Sequence, residues 1–227
     1  MAEELKSWDG KPLDWRNKAT DRFVLRWIKC YLSAPVTRLL VRVPAVRPAA
    51  VTATAAVLGT AAGVTLALGY AWQAGIVAAV GQIMDGVDGQ LARLTGRESK
   101  RGAFLDSVLD RVADGALMLG TLVYLLRDPL PYDWYVPALV VLGAAAMISS
   151  NLVSYSGARA GELGLTLPPR PTLASKGTRT AVMVVAALAT PLWRAAPALA
   201  VLYLAIHATA AVLLRLVKTS AGGRERP

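Results

Sequence analysis

The sequence predicts an all-α integral membrane protein, built as a bundle of six transmembrane helices with an N-terminal amphipathic interfacial helix. Of its 227 residues, 55% are apolar and only 18% are charged, whereas an ordinary soluble domain has about 25% charged residues. The apolar residues fall in blocks of roughly 20, the length that crosses a ~30 Å hydrocarbon core. The blocks are separated by connections in which the basic residues are concentrated on alternate sides. Together these observations exclude a soluble enzyme and a disordered chain.

Residues 1–48 form a basic region ahead of the predicted bundle. From about Thr20 to Tyr31, basic and apolar side chains alternate, which is typical of a helix lying in the membrane interface. Pro44 and Pro48 interrupt this pattern, and proline suits the first turn of the helix that follows. The segment could equally be an anchor with no part in chemistry. The charged stretch Met1 to Leu13 has no apolar core, so no cleaved signal peptide is predicted.

The membrane domain is predicted over residues 49–217, with a tail over 218–227. Its six spans are expected at 49–69, 74–94, 102–126, 136–158, 174–192 and 196–217. On this map 22 of the 25 Lys and Arg residues face one side, which the positive-inside rule assigns to the cytoplasm together with both termini. The net charge of +10 is explained by this topology and by attraction to anionic membrane lipids. Nucleic acid is therefore not expected as a partner.

Glycines recur at four-residue spacing in two of the spans. Gly59 and Gly63 lie in the first span, and Gly157 and Gly161 lie near the end of the fourth. Small residues at this spacing allow helix backbones to approach closely in a membrane. We therefore expect both pairs to lie at helix–helix contacts.

Four aspartates stand inside the second and third predicted spans. Asp85 and Asp88 share one helix face, and Asp106 and Asp110 share another. A short basic connection joins the two spans, so the spans are expected to be antiparallel neighbours, with the four carboxylates at one depth near the cytoplasmic surface. An ionised carboxylate inside a span costs about 2.5–3.5 kcal/mol. The cluster therefore predicts a wet cavity that binds cations or is partly protonated.

The ligand chemistry available to this cluster favours hard divalent cations. Cys30 is the only cysteine and His207 the only histidine, which excludes a disulfide within the chain and a zinc site of Cys and His ligands. Oxygen ligands suit Mg²⁺ or Mn²⁺, and two such ions would balance four carboxylates. Asp114, one turn beyond the cluster, is expected to pair with Arg111 instead of binding metal.

Small and basic residues beside the aspartates fit a phosphate site. Gly86, Gly89 and Gly102 are expected to leave room for a ligand against the backbone, because glycine in a helix otherwise costs about 1 kcal/mol. Arg93 lies one turn beyond Gly89, where a guanidinium could clamp a diphosphate. Metals and an arginine around phosphate oxygens predict a phosphoryl-transfer centre. One of the carboxylates could accept a proton from the attacking hydroxyl.

The pattern Asp85-x2-Asp88-Gly89-x2-Ala92-Arg93-x8-Gly102-x3-Asp106-x3-Asp110 resembles the complete signature of the CDP-alcohol phosphotransferases. The resemblance implies transfer of a substituted phosphate from a CDP-linked donor to an acceptor hydroxyl, with release of CMP and formation of a phosphodiester. It implies two Mg²⁺ or Mn²⁺ ions per subunit on the four aspartates, Asp110 as the general base, and a homodimer. The residues it implies for binding CDP are Asp85, Asp88, Gly89, Ala92, Arg93 and Gly102.

Residues 151–164, NLVSYSGARAGELG, are similar to the branch of that family that uses inositol phosphate, the phosphatidylinositol phosphate synthases, and to its relatives that join two inositol phosphates. This resemblance implies CDP-diacylglycerol as donor and inositol phosphate as acceptor, with the acceptor phosphate held by Lys176, Arg179 and Arg215. Gly157 and Lys176 depart from the branch, which has Lys and Arg there. The alternative for these three cations is flanking charge of the kind that orients membrane helices.

The same residues are compatible with three alternative functions. Within the same family, the enzyme could join a CDP-linked polar head group to inositol phosphate, or use glycerol phosphate or another alcohol. A cation transporter would use the carboxylates as an ion relay, but the outer halves of spans two and three, residues 76–80 and 117–126, are almost wholly apolar. A purely structural anchor would bear the cost of four intramembrane aspartates without a benefit.

Overall fold

The computed structural model describes residues 16, 23–127, 135–165 and 175–220, and its regular elements are helices. This confirms the all-α class. The chain starts with α1 (Phe23–Trp27), a π-helical stretch (Ile28–Ser33) and α2 (Ala34–Leu40). Six further helices follow: α3 (Pro48–Ala67), α4 (Ala71–Leu94), α5 (Lys100–Arg127), α6 (Tyr135–Glu162), α7 (Lys176–Ala189) and α8 (Ala196–Ser220). Residues 1–15, 17–22 and 221–227, in the predicted N-terminal region and tail, lie outside the described residues.

A helix occupies each of the six predicted spans, with ends that differ from the expected ones by at most four residues. Within the described part of the chain, α3, α6 and α8 are long and apolar enough to cross a membrane. The helices α4 and α5 carry the charged residues of the candidate site, and α7 has 14 residues, about 21 Å at 1.5 Å per residue. The six-span arrangement therefore stays a prediction.

The helix α3 packs against both α4 and α5. An added Cβ on Gly63 would overlap the carbonyl oxygen of Ala116, and one on Gly59 would lie 2.7 Å from the Cβ of Ala113. The glycines of α3 thus let the α3 and α5 backbones meet, as expected from their spacing. The expectation for Gly161 is wrong, because no atom lies within 4 Å of an added Cβ there.

The apolar core of the bundle has two main clusters, and the smaller one lies beside the aspartates. Its main cluster is formed by buried side chains of α3, α4, α5, α6, α7 and α8, including Leu66, Leu117 and Leu204. A second cluster joins Val51 of α3 and Val87 and Leu91 of α4 to the side chains of α2. Because Val87 and Leu91 flank Asp88 on the same helix, this second cluster fixes the α4 turn that carries the site.

Candidate metal and nucleotide site

The connection between α4 and α5 returns the chain so that Asp106 and Asp110 face Asp85. Both helices pack mainly against α3, so the direct packing expected between α4 and α5 is not found among the described residues. The helix α4 ends at Leu94, and Gly96, two residues beyond, has a φ of +62°, the left-handed conformation that commonly follows the end of a helix. The helix α5 begins beyond Ser99, whose Oγ accepts a hydrogen bond from Gly102 N at 3.0 Å, as an N-terminal capping residue does. The chain therefore reverses within a few residues.

Three of the four predicted carboxylates converge on one point. One oxygen each from Asp85, Asp106 and Asp110 lies within 4.8 Å of the other two. Asp88 lies outside this group of three. Its side chain is only 6% exposed, its Oδ1 accepts a hydrogen bond from Gly89 N, and its Oδ2 is buried with no hydrogen-bond partner among the described residues. A buried carboxylate oxygen without a donor is costly.

This donor set fits a hard divalent cation. The three converging ligand atoms and the unsatisfied Asp88 oxygen are all carboxylate oxygens, which Mg²⁺ and Mn²⁺ prefer. The described residues thus contain an acidic cluster that could hold a metal ion. A cation bound at this cluster would also stabilise the Asp88 carboxylate, whose Oδ2 has no hydrogen-bond donor among the described residues.

Lys176 lies against two of these carboxylates. Its Nζ is 2.7 Å from Asp85 Oδ1 and also bonds Asp110 Oδ1. On the other side, Gln82 Nε2 donates to Asp85 Oδ2 at 3.3 Å. The first residue of α7 therefore brings a positive charge into the acidic cluster, where the sequence had predicted a residue of the acceptor-phosphate pocket.

The other two predicted acceptor cations have partners inside the bundle. Arg179, 5% exposed, has its Nη2 3.4 Å from Asp114 Oδ2. The same carboxylate lies 3.4 Å from Arg111 Nη2, so the expected pairing of Asp114 with Arg111 is confirmed. Arg215, 3% exposed, donates to the carbonyl oxygen of Val153 and lies 2.5 Å from Ser156 Oγ. The grouping of Lys176, Arg179 and Arg215 into one pocket stays a prediction.

A cleft of about 740 Å³ opens beside the aspartates, a size typical of sites for small ligands. Its walls are the α2–α3 and α4–α5 connections and the facing turns of α3, α4 and α5. Five of the six predicted CDP-binding residues line it: Asp88, Gly89, Ala92, Arg93 and Gly102. The sixth, Asp85, lines a smaller neighbouring cavity with Asp110 and Lys176. An added Cβ on Gly89 would lie 3.4 Å from Arg93 Nη1, so this glycine exposes backbone next to the guanidinium.

Sequence reasoning missed a polar contact on the opposite side of this α4 turn. Gln90 is fully buried and bonds to the N-terminal segment through Thr37 Oγ1 at 2.7 Å. Gly86, expected to leave room for a ligand, instead faces Ser33, whose Oγ an added Cβ would overlap. The signal available in the sequence was a glutamine within an apolar helix face, but its partners lie more than 50 residues away.

Comparison with curated proteins finds relatives named for inositol phosphate chemistry. The archaetidylinositol phosphate synthase of Pyrococcus horikoshii is 40% identical over 116 residues, 51% of this chain and 55% of that protein. The bifunctional IPC transferase and DIPP synthase of Thermococcus kodakarensis is 34% identical over 138 residues, 61% of this chain and 31% of that protein. The phosphatidylinositol phosphate synthase of Streptomyces avermitilis is 32% identical over 191 residues, 78% of this chain and 74% of that protein. The chain thus spans about half the length, or less, of the first two relatives.

Solved structures share the fold. The phosphatidylinositol phosphate synthase of Mycobacterium tuberculosis, in complex with manganese and citrate, matches with a TM-score of 0.73 and 24% identity, over 85% of this chain and 90% of that one. The same protein with CDP-DAG bound matches with a TM-score of 0.69 and 24% identity, over 82% and 92% of the two chains.

The family to which the chain belongs is shown by a match that covers most of its sequence. A family model described as CDP-alcohol phosphatidyltransferase matches residues 45–216, well over half of the chain and all of the candidate site. Together with the three long apolar helices, this indicates a membrane protein. The chain belongs to the CDP-alcohol phosphatidyltransferase family.

Proposed function

We propose that the protein transfers the phosphatidyl group of CDP-diacylglycerol to a hydroxyl of inositol phosphate, releasing CMP. The observation that carries this proposal is the convergence of Asp85, Asp106 and Asp110 beside a cleft that is lined by Asp88 and Arg93. Carboxylates that bind divalent metal, next to a guanidinium that binds phosphate, are the components of a phosphoryl-transfer site. The names of the relatives support the donor and the acceptor.

In the proposed reaction, the four aspartates hold Mg²⁺ or Mn²⁺, two ions per subunit. Such ions, when bound, neutralise phosphate charge and make the phosphorus more electrophilic. Asp110 takes the proton from the attacking hydroxyl, whose oxygen bonds to the phosphorus that carries the diacylglycerol. The bond from that phosphorus to the bridging oxygen breaks, and CMP leaves with the electron pair.

The residues of the cleft bind and orient the donor in this proposal. The CDP moiety contacts Asp85, Asp88, Gly89, Ala92, Arg93 and Gly102. Gly89 lets the diphosphate approach the backbone beside the Arg93 guanidinium, which matches phosphate geometry better than a lysine would. The acceptor phosphate binds near Lys176, Arg179 and Arg215, of which Lys176 contacts the acidic cluster directly.

For the whole chain, we propose a basic N-terminal region (1–48) with an amphipathic interfacial helix, a six-span domain (49–217) and a cytoplasmic tail (218–227). Both termini and the opening of the cleft face the cytoplasm. The positive-inside distribution of Lys and Arg supports this orientation. We also propose a homodimer, on the family resemblance, surrounded by membrane lipid.

The experiment is CMP release by the purified protein with Mg²⁺, CDP-diacylglycerol and inositol phosphate. We predict that Asp110→Asn lowers kcat at least 100-fold, because a general base contributes about 10²- to 10⁴-fold. The matched control is Glu162→Gln, an exposed carboxylate at the end of α6 that pairs with Arg159, for which a loss below tenfold is expected. Equal losses in the two variants would contradict the role of Asp110, even if the wild-type protein releases CMP.

The main alternative within the family is the same type of transfer with a different donor or acceptor. The Thermococcus relative is named a DIPP synthase, which favours testing a CDP-linked polar head group with inositol phosphate. A water-soluble product from that donor, and none from CDP-diacylglycerol, would assign the rival activity. Glycerol phosphate and other alcohols are tested in the same assay. A cation transporter, the alternative from another class, finds no support in the family membership.

A further inference from the structure

The segment α1–α2 (residues 23–40) lies directly on the α4 turn that carries the aspartates. Ser33 Oγ donates a hydrogen bond to the carbonyl oxygen of Ile83 at 2.9 Å, two residues before Asp85. The backbone can come this close because position 86 is a glycine. The segment therefore contacts the outer side of the turn whose inner side lines the cleft.

Gln90 is the main polar connection between the segment α1–α2 and this turn of α4. It is 0% exposed, and its Nε2 donates to the carbonyl oxygens of Arg16 and Lys29, each at 3.0 Å. Its Oε1 accepts from Thr37 Oγ1 at 2.7 Å. Both ends of the amide are thus bonded to the N-terminal segment. A buried amide that lost these partners would be left without hydrogen bonds, which is destabilising, so the contact has one well-defined geometry.

The position of Gln90 links this contact to the cleft. It directly follows Asp88 and Gly89, both of which line the cleft, and it precedes Arg93 by one turn. Because successive residues on a helix are 100° apart, a fixed Gln90 fixes the rotation of α4 and hence the direction in which Asp88 and Gly89 point. A mere membrane anchor would not need buried polar bonds to this particular turn.

We propose that Ser33, Thr37 and Gln90 form a polar latch that positions the α4 turn for binding the CDP moiety, with Gln90 and Thr37 as positioning residues. This inference rests on the proposed function, since it concerns the donor side of the same site. It gives the N-terminal segment a role in donor affinity in addition to its contact with the membrane.

The test uses isosteric variants in the full-length protein. Thr37→Val removes the hydroxyl and keeps the volume, whereas Thr37→Ser keeps the hydroxyl. The matched control is Thr121→Val, an equally buried threonine whose hydroxyl bonds Leu117 O of its own helix at 2.8 Å. Gln90→Met removes all three amide bonds. The readouts are the dissociation constant for CDP in the presence of Mn²⁺, and the KM values for CDP-diacylglycerol and inositol phosphate.

We expect Thr37→Val and Gln90→Met to weaken CDP binding about tenfold and to raise the donor KM, with the acceptor KM changed less than twofold. Thr37→Ser should restore CDP binding, and Thr121→Val should leave it unchanged. Wild-type affinity in Thr37→Val, or an equal loss in Thr37→Ser or Thr121→Val, would overturn the latch while leaving the proposed function intact. If Gln90→Met does not fold, the three threonine variants decide. Failure of the wild-type protein to bind CDP would instead overturn the proposed function.

Discussion

The Lys176 ammonium bonds Asp85 and Asp110, two of the carboxylates that the site would offer to a metal. An ammonium held there competes with a divalent cation, because both neutralise the same negative charge. We predict that Lys176→Met tightens Mn²⁺ binding about tenfold, as measured by the free Mn²⁺ signal in electron paramagnetic resonance titrations. Lys218→Met removes the same charge at an exposed position far along α8 and should leave Mn²⁺ affinity unchanged. Weaker Mn²⁺ binding in Lys176→Met would contradict this competition and would indicate that Lys176 positions Asp85 and Asp110 for the metal.

The site residues that were predicted have their partners nearby in the sequence, whereas the partners of those that were missed lie far away in the sequence. The four aspartates were found because their spacing within 26 residues and their cost inside a span are both local properties of the sequence. The bond of Lys176 to Asp85 joins residues 91 positions apart, and that of Thr37 to Gln90 joins residues 53 apart. Such pairs depend on which helices pack together, and hydropathy does not specify that.

At the scale of whole helices, the close packing of α3 against α5 depends on Gly63. An added Cβ on Gly63 would overlap the backbone of Ala116, and backbone cannot move aside as a flexible side chain can. We predict that Gly63→Ala destabilises the protein by roughly 1–3 kcal/mol, the usual cost of overpacking, and lowers its thermal unfolding midpoint in detergent. At Gly115 of α5 an added Cβ meets no atom within 4 Å. Gly115→Ala should therefore keep or raise the midpoint, and equal midpoints for the two variants would contradict this packing.

Element positions were predicted well where apolar blocks of membrane length define them, and less well elsewhere. The ends of α3 and α4 lie within three residues of the predicted spans, because charged or turn-forming residues follow each block. The π-helical stretch Ile28–Ser33 was not predicted. Ser33, its last residue, packs against Gly86, and the alternation of basic and apolar residues from Thr20 to Tyr31 does not reveal that contact.

At the scale of the whole molecule, the cleft and the basic residues lie at the same end of the bundle. The α2–α3 and α4–α5 connections contribute Arg47 and Arg97 to the walls of the cleft, and the last turn of α4 contributes Arg93. A cluster of cations at the mouth would draw the anionic substrates of the proposed reaction toward the aspartates. In the proposed topology the same cations orient the chain in the membrane, so substrate attraction and orientation would depend on one distribution of charge.

The helix α8 offers a direct test of this orientation. Arg194 precedes α8 and Lys218 lies in its last turn, and both are exposed. The helical rise from Ala196 to Lys218 is about 33 Å, more than a ~30 Å hydrocarbon core. In a Cys30→Ser background, which lacks the only cysteine, we predict that a membrane-impermeant maleimide added to intact cells labels Arg194→Cys. Lys218→Cys should be labelled only after the membrane is permeabilised, and both should react in detergent. Labelling of Lys218→Cys alone in intact cells would reverse the proposed orientation, and labelling of both would mean that α8 does not span the membrane.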